Sequence, residues 1–170
     1  MKPVLKRILI SFMFSAIGIF WLLFVVAKLH GDWIWSLFGV LMSYLSLFTI
    51  INLFCKSKYN TIFTKVLIKI TVISFNFSLL GIAYGIMHEL LIEKIWGLSL
   101  MANYWFIVLI LYVTTIIPLV ILVFVKRNDQ HYTWLYRLLI LLSLILTIGP
   151  VLLPIFIAIL GNGMNASAGW

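Results

Sequence analysis

Five side chains able to bind metal or exchange protons fall in two short stretches of this sequence. His30 and Asp32 lie in the first, and His88, Glu89 and Glu93 in the second. Imidazole and carboxylate groups ligate zinc when they converge, and the same groups serve as general acid and base at a reacting centre. The spacing argues for neither role strongly. His88-Glu89 lacks the second histidine that a metalloprotease helix places on the same face, because Ile92 stands there. Solvated side chains in loops between apolar segments explain the pattern more simply. Cys55 is the single cysteine, which excludes an intramolecular disulfide and a CxxC redox or metal motif. No Walker A, GxGxxG or GxSxG motif occurs. No catalytic residue and no cofactor is expected.

A second set of chemically distinctive residues sits inside apolar runs. Asn76 lies mid-run, where its amide needs a partner or water, and a neighbouring helix is the expected partner. Pro118 frees the carbonyl of Thr114, and Gly149-Pro150 with Pro154 interrupts the last run, so bends are expected in both places. Asn76, Thr114, Pro118 and Pro150 are therefore the candidates for a solute or ion path, since broken helices build such sites in transporters. No Asp, Glu or Arg occupies the central part of any run, which removes the usual signature of proton coupling or voltage sensing.

Those runs set the architecture. The 170 residues are 65% hydrophobic and 9% charged, with mean hydropathy +1.22, too apolar for a water-soluble fold of this length to bury. Five stretches reach the roughly 20 apolar residues that one crossing requires: 8–27, 33–55, 66–87, 104–125 and 138–160. They are apolar all round, without the short alternating segments of a membrane barrel. The expected fold is all-α, a single membrane domain over 1–170 formed by a bundle of five transmembrane helices.

Charge orients the bundle. Lys2, Lys6, Arg7, Lys56, Lys58, Lys65, Lys69, Lys126, Arg127 and Arg137 fall on one side, while Lys28 and Lys94 accompany Asp32, Glu89 and Glu93 on the other. The basic side is cytoplasmic by the positive-inside rule, which puts the N-terminus inside and the C-terminus outside. The net charge of +8 therefore reflects topology, and no nucleic-acid partner is expected. Trp33, Trp35, Trp96, Tyr104 and Trp105 fall at the outer boundary, and Tyr59, Tyr132, Trp134 and Tyr136 at the inner one. Both are positions that amphipathic rings prefer. The first run follows Lys2, Lys6 and Arg7 like a secretory signal, but its length marks it as an uncleaved anchor; cleavage would leave four spans in the same orientation.

Small residues predict the contacts between helices, because close backbone approach stabilises packing in lipid. Thr71, Ser74, Ser78, Gly81, Gly85 and His88 share one face of the third span, and Ser74, Ser78, Gly81 and Gly85 are its expected packing residues. Shorter stripes run through Ser11, Ser15 and Gly18, and through Ser36, Gly39, Ser43 and Ser46. The first three spans are accordingly expected to pack together, which would bring His30 towards His88. Residues 89–103 suit a short helix lying flat at the interface, and 161–170 a mobile polar tail.

The expected function is a non-enzymatic accessory, immunity or assembly subunit of the bacterial cytoplasmic membrane. Its partners would be the lipid bilayer and another membrane protein or copies of itself. The alternatives are an oligomeric channel or transporter for an ion or small solute, and a membrane enzyme or metal site on the outer face.

Overall fold

The computed structural model describes residues 3–28, 33–56, 61–91, 98–125 and 134–167. They form five helices: α1 (Pro3–Lys28), α2 (Trp33–Cys55), α3 (Ile62–Leu91), α4 (Leu98–Val125) and α5 (Trp134–Ser167). All five are long and apolar enough to cross a membrane, and no strand occurs among the described residues. Local chemistry sets some of the ends. Pro3 opens α1, where its missing N–H costs nothing and its fixed φ suits the first turn. Thr61 precedes α3, and its hydroxyl oxygen accepts from the Thr64 backbone N–H at 3.4 Å.

Each helix exceeds the apolar run that predicts it except α2, which has the expected limits. Two expectations for the connections change. Residues 89–91 continue α3 and 98–103 begin α4, so the stretch read as one interfacial helix divides between two spans; 92–97 lie outside the described residues. The polar residues 161–167, read as a mobile tail, continue α5. Helical hydrogen bonding satisfies more backbone when apolar segments extend beyond their hydrophobic limits. Pro118, Pro150 and Pro154 lie within α4 and α5 without ending either helix.

The bundle is built around α1, α2 and α5, which contact one another, with α4 against α5 and α3 against α4. The seam between α1 and α2 uses the two short stripes. A Cβ added at Gly18 would lie 3.2 Å from the Gly39 carbonyl oxygen, and one at Gly39 would lie 3.2 Å from that of Gly18. A side chain at either position would push the backbones apart by a few tenths of an ångström, so glycine favours this close approach. Two turns away Ser11 bonds Ser46 hydroxyl to hydroxyl at 2.8 Å. α5 joins the seam where Pro150 meets Gly39 and where Ile19 and Leu22 meet Gly149.

α3 does not complete a triplet with α1 and α2. Its main neighbour is α4, and it touches α2 along a short line. Trp105 explains the preference: a Cβ at Gly85 would fall 2.6 Å from its ring, so Gly85 forms the recess that the indole fills. Trp105 is thus buried between helices, although its position at a run boundary predicts a place in the outer aromatic belt. Trp35 and Trp134 do remain exposed.

Candidate functional site

The interior contains hydroxyls and no described buried charge. Ser11, Ser15, Ser36, Ser43, Ser46, Thr71, Ser78, Thr115, Ser143 and Thr147 are buried together with Tyr44 and Tyr112. Helix geometry lets many return their proton to a carbonyl three or four residues earlier: Ser15 to Phe12, Thr71 to Leu67, Thr115 to Leu111 and Ser143 to Leu139. Others bridge helices. Ser11 joins Ser46, Tyr44 shares a 2.5 Å hydrogen bond with Ser78, the Tyr104 hydroxyl donates to the Gly81 carbonyl, and Tyr112 pairs with Thr147 at 3.0 Å. Every pair of consecutive helices is therefore tied by at least one hydroxyl. Trp21, well inside the first run, donates its indole N–H to the Trp35 carbonyl at 2.7 Å and stacks edge-on against Phe38.

Two of these ties rest on tyrosines that the small-residue stripes do not reveal. Tyr44 and Tyr112 lie deep within α2 and α4. That depth was itself the signal, because a phenol far from the interface needs a polar partner.

Of the five metal candidates, His88 alone has a described side chain. His30, Asp32 and Glu93 lie outside the described residues, and Glu89 is described only by its backbone in α3. His88 is half-buried in the last turns of α3, its ring 6.3 Å from that of Tyr84. Among the described residues no three His, Cys, Asp or Glu form a group that could hold a metal.

The path candidates differ in burial. Pro118 and Pro150 are buried, and the Thr114 hydroxyl returns to the Leu111 carbonyl at 2.9 Å. Asn76, which its sequence position assigns to a helix contact, is exposed on the outward side of α3. The reason is rotational: Ser74, Phe75 and Ser78 take the inward face, and a 100° step per residue carries Asn76 away from it.

Two openings lie on the surface of the bundle. A groove of about 370 Å³ runs between α2 and α3, lined by Phe38, Leu41, Tyr44, Leu79, Ala83 and Ile86. A slot of about 600 Å³ lies between α4 and α5, walled by Phe124, Leu138, Leu141 and Ile145, with Trp134 and Arg137 at one end. Both have apolar walls, and the slot adds a guanidinium.

A family model described as a protein of unknown function, DUF3902, matches residues 2–169. The chain belongs to the DUF3902 family. Its match covers all five helices, so the bundle as a whole is the DUF3902 unit. No curated protein and no solved structure matches the chain.

Proposed function

We propose that this DUF3902 member is a non-enzymatic accessory, immunity or assembly subunit that works by binding other helices in the membrane. One observation carries the reading: nearly all the described polar groups of the interior, the Ser43 hydroxyl excepted, bond one another or their own helices, while apolar openings remain on the outside. A bundle that uses most of its hydrogen-bonding capacity internally leaves its surface as the place to act. The basic connections favour an N-terminus in the cytoplasm and a C-terminus outside, and the excess of lysine over arginine with this clean asymmetry fits a bacterial cytoplasmic membrane.

Purification from the native host in a gentle detergent, followed by mass spectrometry, tests this reading. The expected result is a membrane protein recovered reproducibly with the chain. Repeated recovery of nothing beyond the chain itself would count against a heterologous partner, and sustained ion or solute flux in liposomes would favour the channel alternative.

A further inference from the structure

We infer that two copies of this chain pair through the outward face of α3, with their Asn76 amides hydrogen-bonded to each other. Asn76 lies 14 residues from Ile62 and 12 from His88, the ends of the span, so it sits roughly 20 Å along the helix from either boundary. Neither water nor a lipid headgroup reaches that depth, and an amide left there without a partner is costly. Its side chain faces away from the bundle, so a neighbouring molecule must supply the partner.

The surface around it has the form of a helix seam. Ile73, Asn76, Leu80, Ala83 and Met87 are all exposed and follow at alternating steps of three and four. That is the spacing of the apolar positions in a coiled coil, with a central asparagine of the kind that sets register. Ala83, two turns beyond Asn76, is small enough to let a second backbone approach. α3 is also the helix with most uncovered surface, since 28% of its apolar run is buried against 56% for α2.

A second copy is the occupant that this face fits. Copies of one chain share an orientation in the membrane, so a two-fold axis along the membrane normal runs their α3 helices parallel and places position 76 opposite position 76 at the same depth. A carboxamide is both donor and acceptor, so two of them satisfy each other reciprocally. Lys69, one helical turn before Ile73 on the same face, has a stem long enough to carry its charge to the inner interface and away from its counterpart. The inference extends the accessory reading without depending on it, because self-pairing requires no foreign partner.

Oxidative cross-linking in native membranes tests the pairing. With Cys55→Ser as background, Ile73→Cys, Leu80→Cys and Ala83→Cys should each give a disulfide-linked dimer, while Met13→Cys and Phe20→Cys on the exposed face of α1 should not. Asn76→Leu should weaken dimerisation about tenfold, measured by energy transfer between labelled copies in vesicles, and Asn76→Gln should retain most of it. Because Asn76 is exposed on the outward face of α3, the Leu variant should keep the helicity and thermal stability of the monomer. Equal cross-linking on α1 and α3, no cross-linking on α3, a foreign protein trapped at position 80 in place of a second copy, or unchanged affinity in Asn76→Leu would overturn the inference.

Discussion

The seam between α1 and α2 and the outward face of α3 use polar residues in opposite ways. In the seam Gly18 and Gly39 bring the backbones together, and Ser11 meets Ser46 hydroxyl to hydroxyl. On α3, Asn76 stands exposed among Ile73, Leu80 and Met87. Lipid solvates exposed apolar side chains almost as well as a neighbouring helix does, so what distinguishes a closed contact is close backbone approach and paired polar groups. The first region has both within one chain. The second has a polar group and a small residue, and completes the pattern only with another molecule.

This contrast is sharpest where volume is added. Gly39→Leu would drive a side chain into the Gly18 carbonyl and towards Pro150, and it should destabilise the monomer by about 3 kcal/mol, the upper end for overpacking. Denaturation followed by helical circular dichroism in detergent would measure it. Gly85→Leu should act similarly by displacing Trp105, with indole fluorescence as an added readout. A change below about 0.5 kcal/mol at either glycine, the level of an ordinary surface substitution, would mean that the close contact is absent in solution.

A smaller effect is expected from the hydroxyl ties. Tyr112→Phe removes the bond to Thr147, yet the threonine hydroxyl keeps its bond to the Leu144 carbonyl at 2.7 Å. The double-mutant cycle of Tyr112→Phe with Thr147→Val should give a coupling of about 0.6 kcal/mol, typical of hydroxyl bonds inside membranes. Tyr44→Phe with Ser78→Ala should behave alike. The smallest change should come on the outward face: Leu80→Ala should alter monomer stability by less than about 0.5 kcal/mol, because lipid replaces the lost surface. A large loss there would show that α3 is covered from within the chain.

The sequence reveals the spans and the stripes well because each is a local property. Apolar length marks a crossing, and Gly18, Gly39, Gly81 and Gly85 mark faces that something must approach. Periodicity does not say what approaches. The stripe on α3 is compatible with α1 or α4 as neighbour, and the choice rests on Trp105 filling the recess at Gly85, a match of shapes that spacing does not encode. Asn76 shows the same limit: its depth demands a partner, while its direction depends on which face of α3 the bundle covers. The outer His and acidic residues remain a sequence proposal, since His30, Asp32 and Glu93 lie outside the described residues.

Every argument from membrane depth depends on five crossings with the proposed orientation, and cysteine labelling tests that claim most directly. With Cys55→Ser as background, a membrane-impermeant maleimide applied to intact cells should label cysteines introduced at Ser99 or Ser167 and spare those at Ser57 or Gln130. The reverse pattern would contradict the orientation, and labelling at Ser99 without Ser167 would contradict the fifth crossing.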